Sequence, residues 1–193
     1  MSTMNTESVS ARAWGLAALL ALAMVLTRLG HFGELSRLPD ASWAVFFIGG
    51  LMLRDARAFA AFFGLAWMVD LGAMTLGTPV DCFSVAYLFL APSYALLWWA
   101  GRAMSTVVDA GVVRALPRLA LTLSAAVTGA FVVSNIGYFG FSGGFGSMPA
   151  LEYASRVMQY LPGYLLVTGV YVLGGFLAIA ASRLVQRGVR QGS

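Results

Sequence analysis

The stretch ASWAVFFIGGLMLRDAR, residues 41 to 57, decides how this chain is read. Its apolar part stops at Leu53, well short of the roughly 20 residues that carry a helix across a bilayer. If it crosses, every arginine after it lies on one side of the membrane; if it does not, they change sides. Read as a crossing over 39–53, it is the second of six apolar runs, with the others at 13–30, 58–77, 83–101, 117–141 and 161–182. With both termini in the cytoplasm, the inner side then holds Arg12, Arg54, Arg57, Arg102, Arg114, Arg118, Arg183, Arg187 and Arg190. The outer side keeps only Arg28, Arg37 and Arg156. That asymmetry is what the positive-inside rule demands, and removing the second span scrambles it.

Composition supports the same class. Of 193 residues, 60% are hydrophobic and 10% charged, and the apolar residues fall in runs too long for a soluble core. Backbone polar groups in lipid must be satisfied within their own segment, so such a chain is helical. The expectation is an all-α polytopic protein with six transmembrane helices, forming a single transmembrane domain over residues 1–193. All twelve basic residues are arginine, for a formal charge of +4. They are scattered between apolar runs and form no basic stripe, which argues for membrane orientation and against a nucleic-acid partner.

At the N-terminus, Ala21-Leu22-Ala23 resembles a cleavage site, but the apolar run continues through Thr27, so an uncleaved first span is expected. Trp14, and Trp98-Trp99 ahead of Arg102, suit aromatic anchors at the inner interface. Pro92 sits mid-span in the fourth run and should kink it. About 15 residues connect Arg102 to Pro117 on the inner side, and STVVDAGVVRAL within them could form a surface helix. The connection from Gly140 to Tyr160 mixes glycines with aromatics, which suits a lid or binding surface as well as a plain loop. Ala13, Ala17 and Ala21 recur every fourth residue, as do Gly174 and Ala178. Such spacing serves close packing within the bundle or docking of a partner.

The informative polar residues collect on the outer side. His31 ends the first helix, and Asp70 lies about two turns below the outer end of the third. Cys82 and Tyr87 open the fourth helix, Ser134, Asn135 and Tyr138 occupy the outer part of the fifth, and Arg156 lies in the long outer connection. A carboxylate at lipid depth needs a partner, so Asp70 marks a site or pairs with Arg28 or Arg156. Asn135 could bond between helices, and His31 could be a solvated interface residue. Cys82 is the only cysteine. Pro79 and Asp81 before it read as a helix start. Its free N–H groups favour a thiolate, and the Asp81 charge opposes one. One cysteine and one histidine cannot build a zinc site. A metal already held in a macrocycle needs only an axial ligand, which a single thiolate supplies.

Here a family resemblance enters. The lone outer cysteine in PVDCFSVAYLFLAPSYALLWW, the RLGHFGEL end of the first helix and Asp70 in WMVDLGAM resemble the BtuM family. These are solitary cobalamin-uptake proteins of Gram-negative bacteria, related to the substrate-binding S-components of energy-coupling-factor (ECF) vitamin transporters. The resemblance implies an S-component-like six-helix bundle in the bacterial inner membrane, its corrinoid pocket facing the periplasm. It implies cobalamin as the ligand, with Cys82 bound to its cobalt and acting in decyanation of cyanocobalamin. It also implies that His31, Asp70, Tyr87 and Arg156 line or brace the pocket, to which Asn135 and Tyr138 are added from their position. No nucleotide-binding motif is present, so an ECF-type ATPase module would be a separate chain. The residues themselves also admit an S-component for another vitamin, a haem-binding membrane protein using Cys82 or His31, or a ligand-free structural membrane protein.

The arginine count generates a first test. Reporter domains fused after Arg190 or within 102–117 should report cytoplasm, and one near Gly144 should report periplasm. A cytoplasmic Gly144 fusion would reverse the orientation.

Overall fold

The computed structural model describes residues 3–29, 38–75, 85–110 and 112–191, and these are helical almost throughout, with no strand among them. The helices are α1 (Thr3–Leu29), α2 (Ser42–Met52), α3 (Ala56–Thr75), α4 (Leu90–Ala110), α5 (Val112–Phe141), α6 (Ala150–Met158) and α7 (Leu161–Gln191). A 3-10 helix, Val85–Phe89, leads into α4. By length and composition, three of the described helices can cross a membrane: α3, α5 from Arg114 on, and α7 over Leu161–Ala178.

The segment that decided the sequence reading is the centre of the structure. Every residue of α2 from Ser42 to Leu51 is buried. A helix apolar on all faces is surrounded on all faces, and α2 lies among α1, α3, α4 and α7. At 1.5 Å per residue its 11 residues reach about 16 Å, near half of a bilayer's hydrocarbon core. Composition alone does not separate such a helix from a membrane span, because protein neighbours and lipid reward the same apolar surface.

Small residues set its contact with α4. A Cβ on Gly50 would stand 2.0 Å from the Trp98 carbonyl oxygen, and one on Gly101 would stand 2.1 Å from that of Phe47. The backbones therefore touch, and Trp98 lies against Gly49 with its ring buried. Phe46 stacks on Tyr94 with ring centroids 4.2 Å apart, and Phe59 meets the edge of Trp98. Ser93 donates to the Phe89 carbonyl within its own turn and to the Ala130 carbonyl of α5. At the far end of α2, Arg54 adopts a left-handed φ of 60°. Its N–H donates to the Gly49 carbonyl, capping the helix, and its guanidinium pairs with Asp109.

Several sequence expectations change. Trp98 is a core residue rather than an interface anchor; Trp99 stays exposed beneath the Arg102 guanidinium, 5.2 Å from the ring centroid. Pro92 lies in the first turn of α4, directly after the 3-10 helix, rather than in mid-helix. The connection from Arg102 to Pro117, where the sequence leaves a helix open, is helical on both sides of Gly111. The outer connection folds into α6, with Gly143 and Gly146 at positive φ in the turn before it.

Gly101→Ala should force α2 and α4 apart, because the nearest atom is backbone and cannot swing away. A loss of about 1–3 kcal/mol is expected, read as a lower thermal midpoint in detergent. Gly64→Ala, where nothing lies within 4 Å, should not lower the midpoint and by helix propensity should raise it slightly.

Candidate functional site

Because α2 is short and its neighbours are long, space remains beyond its first residue. A cavity of about 650 Å³ lies there. Its wall takes Arg28 from the end of α1, Asp40 and Trp43 from the start of α2, Tyr87 from the 3-10 helix and Tyr94 from α4. Ser134, Asn135 and Tyr138 come from α5, and Tyr160, Tyr164 and Thr168 from the start of α7. All come from one end of the bundle.

Arg28 organises this end. Its Nε and one terminal nitrogen donate to the two oxygens of Asp70 at 2.5 and 2.6 Å. The other terminal nitrogen faces Asp40 Oδ2 at 3.1 Å, Ser42 Oγ at 2.9 Å and Tyr94 Oη at 2.9 Å. One planar guanidinium thereby joins α1, α3, the entry to α2, and α4 in a geometry an ammonium could not match. Between the two partners open to Asp70, the structure selects Arg28. Asp70 is buried behind the arginine and is not part of the cavity wall. Arg156 lies elsewhere: it pairs with Glu152 one turn back on the exposed face of α6 and does not line the cavity.

Tyr87, Asn135 and Tyr138, by contrast, meet on the wall. Tyr87 sets its ring edge-on to Trp67, centroids 5.0 Å apart. Asn135 donates to the Phe131 carbonyl and accepts from the Tyr153 hydroxyl at 2.8 Å, which fixes its amide and fastens α6 to α5. Burial, and secondarily Tyr138, push the Tyr153 phenol above its ordinary value, so it remains a donor throughout neutral pH. Phe139 and Phe145 pack on the Tyr153 ring from two sides. His31 and Cys82 lie outside the described residues.

Sequence reading missed Asp40, Trp43, Tyr94, Tyr160, Tyr164 and Thr168 on the wall, and knew Arg28 only as a partner for Asp70. One signal was legible. Residues 160, 163, 164, 167 and 168 recur at helical spacing and form a single face of α7. Asp40 carries no such signal, since only folding brings it beside Arg28.

Chemically, the wall combines aromatic faces for stacking with hydroxyl, amide and carboxylate groups at their edges. Among the described residues no three His, Cys, Asp or Glu side chains gather as a metal site. No protein-family model matches the chain, and no curated protein matches it. Among the described residues, fold and site define an all-helical protein with helices able to cross a membrane and an aromatic-walled cavity at one end.

Removing the Asp70 charge should be far more damaging than removing either exposed one. Asp70→Asn breaks the two-toothed buried pair and leaves the guanidinium only Asp40 as a carboxylate partner, which should cost about 3 kcal/mol of stability. Asp109→Asn breaks only an exposed pair with Arg54, worth about 1 kcal/mol or less. Asp55→Asn keeps an oxygen to accept the Arg57 N–H at the start of α3. Equal thermal shifts for all three would contradict the buried pairing.

Proposed function

We propose that this chain binds cobalamin and takes it up across the bacterial inner membrane, as the solitary relatives of ECF S-components do. The observation that carries the reading is the cavity. It draws Tyr87 from one apolar run and Asn135 and Tyr138 from another onto one wall. Its volume of about 650 Å³ falls within the range of small-molecule sites. Ala86 on the wall follows Cys82 by four positions, so covalent connectivity keeps their Cα atoms within about 14 Å. Aromatic faces with polar rims suit a flat macrocycle whose edge carries amides.

The six-span arrangement belongs to this proposal. In it α1, α2, α3, α4, α5 and α7 are the crossing segments, α2 being the innermost, and α6 lies at the surface. The cavity sits at the end whose connections the arginine count assigns to the outside, which supports a pocket facing the periplasm. Lipid surrounds the bundle, and an ATPase module, where one operates, is a separate chain.

The chemistry asked of Cys82 is modest. Its thiolate is a soft, strongly donating ligand suited to cobalt held in a corrin. Coordination on one face displaces the dimethylbenzimidazole base from cobalt and weakens the bond to cyanide on the other. Cyanide leaves as the anion with its bonding pair, and cobalt keeps its oxidation state, so no reductant is required.

Purified protein incubated with cyanocobalamin should show a bound spectrum distinct from that of free ligand, and free cyanide should appear. Cys82→Ser should fold, bind more weakly, show no spectral change and release no cyanide, because a neutral hydroxyl is a poor cobalt ligand. A serine variant that shifts the spectrum and frees cyanide would remove Cys82 from the chemistry. Absorption of a haem in the protein as purified would favour the haem reading instead.

A further inference from the structure

An arginine in a cavity wall normally suggests a seat for an anion. Arg28 is already committed, with Asp70 along one edge and Asp40, Ser42 and Tyr94 around the other. One guanidinium faces two carboxylates, so the group carries a formal charge of minus one. The start of α2 adds roughly half a positive charge, and the Ser42 N–H already directs it at Asp40 Oδ1, 2.9 Å away. Among the described residues, Arg28 and Asp40 are the only charged side chains of the cavity wall. Among these residues the surplus is therefore negative.

It resides on Asp40 rather than Asp70. The Asp70 side chain is 2% exposed and lies behind Arg28, whereas that of Asp40 is 31% exposed and lines the cavity. Asp40 Oδ1 accepts both the N–H and the hydroxyl of Ser42. Oδ2 accepts from Arg28 and, as a carboxylate oxygen, has capacity for a further donor. The backbone on either side is clamped: the Tyr171 hydroxyl donates to the Pro39 carbonyl at 2.8 Å, and the Ala41 N–H donates to Thr27 Oγ1 at 3.0 Å. A charge held this way cannot swing out to water when a ligand arrives, so whatever enters must accommodate it.

We propose that Asp40 is a specificity residue of the cavity, accepting N–H groups from ligand amides and repelling ligand carboxylates. The site then takes corrinoids whose peripheral side chains are amides and rejects those whose side chains are free acids. This rests on the corrinoid reading above. It also turns the expectation raised by the wall arginine round: the charged end of the cavity is an acceptor, not an anion seat.

The test uses two ligands that differ in this respect alone, the dicyano forms of cobyrinic acid heptaamide and of cobyrinic acid, both lacking the nucleotide. Equilibrium dialysis against the purified full chain near neutral pH, read by corrin absorbance, gives both affinities. The wild type should bind the amidated ligand at least ~10-fold more tightly, since like charges brought together at a partly buried site repel strongly. Asp40→Asn keeps the shape and the oxygen facing Ser42. It should bring the two affinities within ~3-fold, mainly by gaining the acid, as loss of the like charge requires. Should that variant fail to fold, salt supplies the second measurement, because the wild-type preference should shrink as ionic strength screens the charges. Equal wild-type affinities, a preference insensitive to salt, or an unchanged preference in Asp40→Asn would overturn the role of Asp40 and leave the corrinoid reading standing. Binding of neither ligand would overturn the corrinoid reading and this inference with it.

Discussion

The Arg28 guanidinium, buried at the end of α1, is the interaction on which the cavity end of the bundle depends. A charged group removed from water is tolerated only when its hydrogen bonds are met by well-placed partners. Here those partners come from α3, from the residues that open α2, and from α4. Each helix end is thereby fixed relative to the others by directional bonds, not only by apolar contact. Apolar packing alone would tolerate sliding of one helix along another, and the two-toothed pairing with Asp70 does not.

The second constraint is the closeness of α2 and α4. Gly50 and Gly101 let backbones touch, which buries Trp98 and turns the Phe46 ring flat onto Tyr94. Tyr94 then presents its hydroxyl to Arg28. Packing in the middle of the bundle and hydrogen bonding at its end are thus coupled through one side chain. The same arrangement makes the cavity, because a short buried helix between long neighbours leaves a hollow beyond its first residue.

In the reading proposed here, these features divide the work of binding. Aromatic faces of α4, α5 and α7 offer stacking surface, which is adaptable and carries little chemical selectivity. Selectivity comes from groups that cannot move: the Asn135 amide fixed by Tyr153, and the Asp40 carboxylate fixed by its clamped backbone. Fixed polar groups discriminate because a mismatched ligand leaves them unpaired, and rigid surroundings prevent their escape.

Helical class was legible in the sequence, since runs of apolar residues with so few charges admit little else. The placement of Asp70 beside an arginine was legible too, because a carboxylate at such depth requires a partner. Tyr87 in one run, and Asn135 and Tyr138 in another, were found from their common level. The α7 face at 160, 163, 164, 167 and 168 could have been found from its period. Three things were decided only by tertiary structure. Which arginine meets Asp70 depends on how α1 and α3 pack, a contact 42 residues apart in the chain. That α2 is buried by protein on every side follows from its neighbours, since apolar composition is the same answer to lipid and to a helical core. Asp40 reaches the cavity as the carrier of its surplus charge because the fold gives Asp70 the greater share of Arg28. No local pattern encodes that division, for it arises when one guanidinium must satisfy two carboxylates brought together from distant segments.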